Sequence, residues 1–434
     1  MKKNLIVSLL AFALLRGTSF GLGSAGLGTE ILSAENLGLA GSLLVKGDAC
    51  SVYLMPAMLG DIGNQSASVG VSLIDYRVKR EGASAAKMDT TDVVVPNGYF
   101  TKQFMGGKIG FGLGVVSPYG LQTSWGDTSS VRYVATTSDI RMMDVTPAVS
   151  YRPSERFAVG AGVDYFSTYK ATLQKKVSVD AVNVGLGGSP AGLPDGNSKM
   201  DGDGDGWGYH AGVLVSPTPK HHVGVTFHSE VKTKIEGQVE LTGLSGASAG
   251  PNGFGGTNFK TKARTDLFYP ANVQIGYRFD PNVKWSFFAN AAWFHWAANK
   301  QLTIVLPDAT ATQQAIAGKP VPLDWKDGWS VSVAGKYKLN ERWALNGGLC
   351  YEPAVYPEQT FSPSIPDMDR FGISVGPNYR NGNWGVDAVY NPIFMRRTTI
   401  NNKIGQANAG PAGDISGTYK GQVHIVSVSA RYFF

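Results

Sequence analysis

Residues that commonly perform catalysis are sparse in this sequence of 434 residues. The six histidines are His210, His221, His222, His228, His295 and His424. No G-x-S-x-G or H-E-x-x-H stretch accompanies them, so the sequence offers neither a hydrolase nucleophile nor a zinc-protease helix. The paired His221 and His222 fall at a predicted short turn. We therefore predict that the chain is not an enzyme and has no cofactor.

One acidic run has the spacing of a metal site. Asp201, Asp203 and Asp205, followed by Gly206, copy the first half of a calcium-binding loop, in which alternate carboxylates surround the ion. The acid that closes such a loop would stand at position 212, which is Gly212. The run is therefore either a calcium site or, as the missing acid favours, a flexible acidic loop.

The two cysteines, Cys50 and Cys350, have neither C-x-x-C nor zinc-ligand spacing. Cys350 shares the small-residue face of a predicted strand with Ala344, Asn346 and Gly348, so its side chain is expected to point into an interior. A disulfide bridge between the two is conceivable in an oxidising compartment, and two unbridged thiols are the alternative.

The N-terminus has the pattern of a signal peptide. Lys2 and Lys3 precede an apolar stretch, residues 5–15, and a small-residue region, residues 17–25. We predict a signal peptide over residues 1–23, cleaved between residues 20 and 25. The apolar stretch is too short to span a membrane as a helix, and a short buried helix is the alternative.

From about residue 65 onward, apolar side chains alternate with small or polar ones. In one example, Trp329, Val331 and Val333 alternate with Ser330 and Ser332. This two-residue period predicts strands with one apolar face. Because the second face is made of Gly, Ser and other small residues, the apolar face suits lipid and the small face suits a lumen.

The links between these strands are alternately short and long. The short links are residues 106–107, 153–155, 217–220, 280–282, 340–341 and 381–382. The long links are residues 81–91, 121–138, 178–204, 242–262, 303–324, 353–366 and 401–417. Outer-membrane barrels have short periplasmic turns and long outside loops. The predicted fold is therefore all-β, a transmembrane antiparallel β-barrel of about 14 strands over residues 65–434.

The last strand predicts the cellular location. Its apolar face is Val426, Val428, Ala430, Tyr432 and Phe434. A terminal Phe on such a strand resembles the signal read by the outer-membrane assembly machinery, which we expect to be a partner. The other expected partners are outer-membrane lipid and lipopolysaccharide. A formal charge of +6 without a dense Lys/Arg run argues against nucleic acid. A monomer is expected.

Residues 24–64 do not alternate and are rich in Gly and Ala. They are too few for an independent domain, so they must pack against something else. A barrel of about fourteen strands has a lumen wide enough to hold such a segment. We predict that residues 24–64 form an N-terminal plug, or hatch.

Several short motifs, in order along the chain, resemble those of one family. They are Asn36–Gly41, Gly47-Asp48-Ala49, Met55-Pro56-Ala57, Val95-Pro96-Asn97, Ser117–Leu121, Trp207-Gly208-Tyr209, Ser229–Lys232 and Ser364–Arg370. Together they resemble the FadL-type long-chain fatty acid and hydrocarbon transporters of the outer membrane, over nearly all of the mature chain. Met55 is a departure, because the family usually has Asn-Pro-Ala there.

The resemblance implies a transport mechanism. Two outside loops, residues 178–204 and 242–262, would capture a hydrophobic ligand, a fatty acid or an aromatic hydrocarbon. The apolar residues of these loops are Val182, Val184, Leu186, Leu193, Leu244, Phe254 and Phe259. A shift of the plug would then open a route to a lateral exit at a kinked third strand. The exit residues would be Ser117, Pro118, Tyr119 and Gly120, where proline lacks the N–H that a strand ladder needs.

The family also places basic groups where a fatty-acid carboxylate would bind. Lys175 and Lys319 are neighbours of the expected positions. Each is either a carboxylate-binding residue or a solvated lysine at the edge of a loop, in which case an uncharged hydrocarbon suits the site better. The alternative functions are a general diffusion porin and an adhesin or structural barrel. A plug in the lumen argues against an open porin.

Overall fold

The computed structural model describes residues 24–28, 31–82, 84–89 and 91–434. The predicted signal peptide, residues 1–23, lies outside these described residues. Among the described residues, none of the helices is both long enough and apolar enough to cross a membrane.

Fourteen antiparallel strands form one closed barrel, as predicted. The strands are β1 (Gln65–Glu81), β2 (Thr91–Phe104), β3 (Ile109–Val116 and Gly120–Ser124), β4 (Thr137–Ser154), β5 (Phe157–Val177), β6 (Gly196–Thr218), β7 (His221–His228 and Val231–Thr242), β8 (Asn258–Tyr269 and Asn272–Phe279), β9 (Trp285–Phe294), β10 (Gly328–Lys338), β11 (Trp343–Glu352), β12 (Arg370–Asn381), β13 (Trp384–Met395) and β14 (Gly417–Phe433). Pairing of β14 with β1, from Ser66 opposite Phe433 to Glu81 opposite Thr418, closes the barrel.

The remaining elements are short and lie in the N-terminal segment, the loops and one turn. The α-helices are α1 (Ala34–Gly38), α2 (Ser51–Leu54), α3 (Val179–Gly185), α4 (Ala311–Ala317) and α5 (Gln406–Ala409). The 3-10 helices are Ser24–Gly26, Leu43–Val45, Pro56–Asp61, Met105–Gly107, Gly246–Ala249, Trp296–Ala298, Glu358–Thr360 and Gly410–Gly413. Short strands at Ala86–Lys87, Gln301–Leu302, Val321–Pro322 and Thr398–Ile400 complete the loops.

The predicted alternation decides which side chains face outward. In β10, Val333 is 55% exposed whereas Ser332 is 8% exposed. Apolar residues are outside because the barrel is built for contact with lipid, which inverts the arrangement of a soluble protein. Pairs of aromatic rings on adjacent strands mark both edges of the apolar band. Examples are Trp343 with Tyr379, 4.7 Å between ring centroids, and Tyr165 with Trp207, 4.8 Å.

Strands β5 to β8 extend well past the outer ring pair, Tyr165 and Trp207. As a consequence, two predicted loop boundaries are wrong. Residues 196–204 belong to β6 and residues 258–262 belong to β8, because the backbone ladder between neighbouring strands continues outside the membrane. The loops themselves are residues 178–195 and 243–257.

Residues 24–64, here called the N-terminal segment, pack against the inward faces of the strands. Inward-facing glycines make room for the Met55-Pro56-Ala57 motif. A Cβ atom at Gly160 of β5 would lie 2.4 Å from the carbonyl carbon of Pro56, and one at Gly212 of β6 would lie 2.6 Å from the Met55 sulfur. The small-residue face of these strands therefore forms the bed on which the segment rests.

Side chains of the strands satisfy backbone carbonyls of the N-terminal segment. The Tyr99 hydroxyl donates to Leu32 O at 2.6 Å, and the Arg278 guanidinium donates to Val45 O at 2.8 Å. A buried carbonyl without a partner is costly, so an irregular segment inside a barrel depends on such donors. The segment thus has no fold of its own apart from the barrel.

A buried charge network ties α1 to strands β10, β13 and β14. Glu35 accepts from Lys336 of β10 at 2.5 Å, from Lys46 at 2.6 Å and from Arg431 of β14 at 3.1 Å. Arg431 also contacts Asp48 and Asp387, each at 2.7 Å. Burial alone would raise the pKa of Glu35, but the surrounding cations, with Lys336 first, hold that pKa well below its usual value. Glu35 therefore stays ionised and fixes the segment electrostatically.

The first testable prediction concerns the glycine bed. Replacing Gly160→Val inserts carbon atoms where the Pro56 backbone lies, so the N-terminal segment must move or the barrel must distort, at a cost of about 1–3 kcal/mol. We expect the segment of the assembled protein to become sensitive to protease. The matched control is Ala161→Val, whose side chain is exposed on the outward face of the same strand. Equal protease resistance in both variants would contradict the packing described.

The second prediction concerns Glu35. The Glu35→Gln variant removes the carboxylate that Lys46, Lys336 and Arg431 share. Breaking a buried ion pair lowers the free energy of unfolding by about 3–5 kcal/mol. We expect the folded form to be lost at lower temperature on unboiled denaturing gels, whereas Glu341→Gln, at an exposed turn, should have no effect.

The pH dependence of that stability follows from the lowered pKa of Glu35. The carboxylate stabilises the fold fully above its unfolded pKa, roughly 4.3, and this contribution is lost only as pH falls through the lower folded pKa. Thermal unfolding of the native chain, measured from neutral pH down to about pH 4, should therefore still show this stabilising contribution. An equally stable Glu35→Gln variant would show that the network does not hold the segment.

Candidate functional site

A cavity of about 740 Å³, including its open mouth, lies between the N-terminal segment and the barrel wall. Its lining from the segment is Gly28, Leu32, Asn36, Ala40, Gly41, Tyr53 and Leu54. Its lining from the strands is Pro118, Tyr119, Asn272, Gln274, Asn290, Phe294, Ser330, Val331, Ser332, Cys350 and Glu352.

The two sides of the cavity differ in polarity. Leu32, Leu54 and the Tyr53 ring give the segment side an apolar surface, whereas amides and hydroxyls dominate the strand side. The Asn290 amide donates to Gln274 Oε1 at 3.3 Å. The one acid in the lining, Glu352, lies 3.2 Å from the guanidinium of Arg370. The cavity therefore has one apolar and one polar side, and the acid in its lining is compensated by a neighbouring cation.

Aromatic rings connect this cavity with the outer end of the barrel. Tyr119 packs on Tyr269 at 4.8 Å and on Trp296 at 6.1 Å between ring centroids. Trp296 in turn contacts Trp325 at 5.3 Å. Because Tyr119 also lines the cavity, the rings form one continuous apolar surface from the loops inward.

Strand β3 is broken where the sequence predicts the kink. Its two parts both pair with β4, but Ser117, Pro118 and Tyr119 interrupt the strand. On the other side, β2 pairs with β3 only from Gly98 onward. Among the described residues, no ladder joins residues 91–97 of β2 to residues 120–124 of β3.

The first residues of the N-terminal segment lie at this break. Gly28 forms an antiparallel bridge with Tyr119, and the Gly120 N–H donates to Leu27 O at 2.8 Å. All four predicted exit residues, Ser117, Pro118, Tyr119 and Gly120, are buried. In this structure the interruption of the wall is thus covered from inside by residues 27 and 28.

The two predicted capture loops pack against each other. Four of the seven predicted residues, Val182, Leu244, Phe254 and Phe259, belong to one apolar cluster, which also includes Ile316 of α4. A hydrogen bond of 2.7 Å from the Ser248 N–H to Asn183 Oδ1 joins the loops. The other three predicted residues lie outside this cluster: Val184 is exposed, and Leu186 and Leu193 are half-buried.

Lys175 and Lys319, predicted separately, lie close enough to repel each other electrostatically. Lys175 is on the part of β5 beyond the outer aromatic ring pair. Burial, and secondarily the charge of Lys319, lower the pKa of Lys175. Within the described part of the chain, neither ammonium has an acidic group within 4.0 Å. Their chain neighbours Val177 and Ala317 belong to the apolar loop cluster.

Both interpretations of Asp201, Asp203 and Asp205, the calcium site and the favoured flexible acidic loop, assumed a loop, and that assumption is wrong because these residues lie in strand β6. Successive acids of an extended strand point the same way about 6–7 Å apart and cannot surround one ion. Asp201 instead accepts from the Thr172 hydroxyl at 2.6 Å.

The conceivable disulfide is absent as well, since Cys50 and Cys350 are unbridged. Cys50 is buried beside Ser33 in the segment, with 3.6 Å between the hydroxyl oxygen and the sulfur. Cys350 is half-buried in the lining of the cavity.

Sequence reasoning missed the amides that line the cavity, Asn272, Gln274 and Asn290. A signal for them exists, because each is an amide at a position whose neighbours in the strand are apolar and point outward. It missed Glu35 and Arg431 for a different reason: their partners are far apart in the chain, and only the closed barrel brings them together.

The family model described as "Outer membrane protein transport protein (OMPP1/FadL/TodX)" matches residues 20–434. The chain is 26% identical, over 411 residues, to the long-chain fatty acid transport protein of Escherichia coli K12, covering 87% of this chain and 90% of that relative.

Two solved structures have the same fold. One is a FadL homologue of Pseudomonas aeruginosa, with a TM-score of 0.81 and 20% identity, covering 92% of this chain and 98% of that one. The other is the toluene transporter TodX of Pseudomonas putida, with a TM-score of 0.71 and 16% identity, covering 93% and 98%.

The resemblance inferred from the motifs is confirmed, and so is the outer-membrane location. The matched family consists of transport proteins, in agreement with the prediction that the chain is not an enzyme. This chain belongs to the OMPP1/FadL/TodX family of outer-membrane transport proteins.

Proposed function

We propose that this protein carries long-chain fatty acids or similar hydrophobic compounds across the outer membrane, with residues 24–64 as the plug and residues 65–434 as the barrel. The observation that carries the proposal is the position of the cavity. It lies against the plug and ends at Tyr119, at the break in β3 that Leu27 and Gly28 cover. The names of the Escherichia coli relative and of TodX support a fatty acid and an aromatic hydrocarbon, respectively, as substrate classes.

Capture begins at the apolar cluster of the outside loops. Phe254 and Phe259 pack on each other, 5.0 Å between ring centroids, together with Leu244 and Val182. An apolar ligand entering between the two loops would exchange these loop-to-loop contacts for contacts with itself. That exchange gives a hydrophobic ligand an entry site without leaving the cluster exposed to water beforehand.

The two lysines beside this cluster supply the interaction for a carboxylate. Without acidic neighbours in the described structure, Lys175 and Lys319 repel each other, and an anion placed between them relieves that repulsion. A fatty acid would thus bind with its chain on the apolar loop cluster and its carboxylate at the lysines. A hydrocarbon would use only the apolar part.

Movement of the plug need involve only its first residues. Residues 27 and 28 are attached to the break by one bridge and the hydrogen bond from Gly120, and Ala25 and Leu27 pack in an apolar cluster with Tyr119. Within the described structure no ion pair holds these residues, so an apolar ligand can replace their contacts. The α1 region, in contrast, is held by the Glu35 network, and the Met55 motif by the glycine bed. We propose that the contacts of residues 24–28 with the wall are weaker than those of α1 and α2. Residues 24–28 would then withdraw while α1 and α2 stay in place, which opens a lateral exit into the membrane.

The first functional prediction tests the lysines. In Lys175→Gln and Lys319→Gln variants, affinity for a long-chain fatty acid should fall about fivefold, as expected for the loss of an ion pair of about 1 kcal/mol. Toluene binding should not change. Because the pKa of Lys175 is lowered, fatty-acid affinity should also decrease as pH rises, beginning below the range of an ordinary lysine.

Lys176→Gln is the matched control, because this adjacent lysine is paired with Asp127 at 2.8 Å and with Asn197. The affinity of all three variants for a fatty acid is measured by displacement of a fluorescent fatty-acid analogue. If the control loses as much affinity as the other two, or if toluene binding falls equally, the lysines do not recognise a carboxylate.

The second functional prediction tests the exit. The Gly120→Leu and Ser117→Arg variants fill the break in β3, so uptake of labelled fatty acid by cells that depend on this protein should fall at least tenfold. Ligand binding in the cavity should persist, and it can be followed as protection of the half-buried Cys350 thiol from a small maleimide. Cys50 is fully buried and should not react.

Gly335→Leu serves as the control, because Gly335 lies in the continuous part of the wall with Phe287 as its neighbour. Unchanged uptake in both exit variants, at normal surface levels, would mean that ligand follows the lumen instead. A large steady ion current through the unmodified protein in planar bilayers would favour the diffusion porin.

A further inference from the structure

Four ionisable side chains lie together on the inward faces of β4 to β7, beneath α2 and away from the charge network of Glu35. They are Asp144, Asp164, His210 and His228, and all four are buried, with exposed fractions of 0, 2, 0 and 4%. One ligand atom each from Asp164, His210 and His228 lies within 4.8 Å of the others. None of these residues has a role in the proposed transport route.

The hydrogen bonds of His210 leave one nitrogen facing an acid. Its Nε2 lies 2.9 Å from Val52 O, so this nitrogen carries a hydrogen and donates it to the carbonyl. Its Nδ1 lies 2.8 Å from Asp164 Oδ1. In the neutral ring Nδ1 carries a lone pair and no hydrogen. That lone pair and those of the ionised Asp164 oxygen repel each other at this distance. A positive species, a proton or a metal ion, must therefore lie between them.

His228 repeats the arrangement. It makes a hydrogen bond with the backbone of Tyr53, and its Nε2 has no hydrogen-bond partner among the described residues. The Tyr53 ring covers it at 4.5 Å between centroids. Each imidazole thus uses one nitrogen on the backbone of α2, and one ring nitrogen of each lies within 4.8 Å of a carboxylate oxygen of Asp164. Metal-binding histidines are commonly held in this way by a hydrogen bond from the second nitrogen to a carbonyl.

Asp144 adds a second acid. Its carboxylate is fully buried beside Asp164, and among the described residues it has a contact with the Tyr165 backbone but no hydrogen bond from a side chain. Buried polar atoms of this kind are rare in native proteins and require an explanation. A proton on His210 would pair with Asp164 but would leave His228 Nε2 without a partner and Asp144 without a counter-charge among the described residues. A doubly charged cation would balance the two carboxylates.

We propose that Asp164, His210 Nδ1 and His228 Nε2 bind a divalent transition-metal ion, with Asp144 as a balancing charge beside it. Two imidazoles and a carboxylate suit Zn²⁺, Co²⁺ and related ions and do not suit Ca²⁺ or Mg²⁺. Bonds of about 2.0–2.2 Å to one tetrahedral ion place its ligand atoms about 3.4 Å apart. The present separations, up to 4.8 Å, must therefore shorten, and the nearly parallel rings of His210 and His228, 13° between their planes, must rotate when the ion binds. The ion would fix the two histidines that hold the Val52 and Tyr53 carbonyls, and so would position α2 at the edge of the ligand cavity.

The test uses Co²⁺ as the probe on the full mature chain in detergent. Because the site is buried, the protein is unfolded and refolded with EDTA or with Co²⁺, and excess ion is removed before measurement. We expect one Co²⁺ per chain by elemental analysis and a visible absorption band from nitrogen and oxygen ligands, both absent from the EDTA sample. Excess Ca²⁺ should not displace the ion.

His228→Gln and Asp164→Asn should each reduce bound Co²⁺ at least tenfold while the band on unboiled gels still migrates as folded barrel. His424→Gln, which changes a histidine bonded to Tyr390 at 2.8 Å on the outward face of β14, should retain one ion. Failure of the native protein to bind stoichiometric Co²⁺ would overturn the proposal and leave a proton between His210 and Asp164. Retention of the ion by folded His228→Gln would overturn it as well.

Discussion

Inside a bilayer, backbone N–H and C=O groups must find partners within the protein, and a closed ladder of strands is the all-β solution to that requirement. One place in the described barrel where two neighbouring strands have no ladder between them is beside the second part of β3. There Pro118 has no N–H to give, and β2 and β3 separate. Residues 27 and 28 supply the missing contact from inside the lumen. Closure of the wall therefore depends on the position of the N-terminal segment.

This coupling requires that the rest of the segment be held firmly. Three kinds of contact do so, and each uses a different property of the inward face. Glycines let the Met55-Pro56-Ala57 backbone approach the strands, donor side chains satisfy the carbonyls of the segment, and Glu35 draws charges from β10 and β14 onto α1. The outward face contributes none of these contacts. In the alternating pattern, the apolar residues thus face the lipid outside and the small residues face the N-terminal segment inside.

The sequence was sufficient to predict the architecture, because a two-residue period and the alternation of short and long links are local properties. The break at Ser117-Pro118-Tyr119 was predictable for the same reason, since proline acts on its own position. Loop boundaries were less predictable. Residues 196–204 look like a loop because they are rich in Gly and Asp, but pairing with β5 and β7 makes them strand.

Contacts that depend on barrel closure could not be derived from sequence. Lys46, Lys336 and Arg431 converge on Glu35 from three regions of the chain, and no local pattern marks them as partners. His210 and His228 were set aside because they match no catalytic motif. Their proximity follows from the register of β6 against β7, which places them directly opposite each other. Residues that are far apart in the sequence become neighbours in this fold through strand register and barrel closure.

The distribution of charge along the proposed route has a physical rationale. The lysines that would attract a carboxylate lie at the loops, where water reduces the strength of an ion pair. Deeper in the barrel, the cavity is lined by amides and hydroxyls, and Glu352 is neutralised by Arg370. A bare cation there would bind a carboxylate so strongly that release would be slow, whereas transport needs each site to be weak enough to leave. Under the proposed function, a charged mouth and a cavity without a bare cation would let the same barrel accept a fatty acid and still release it, and a hydrocarbon without a carboxylate would fit the same cavity.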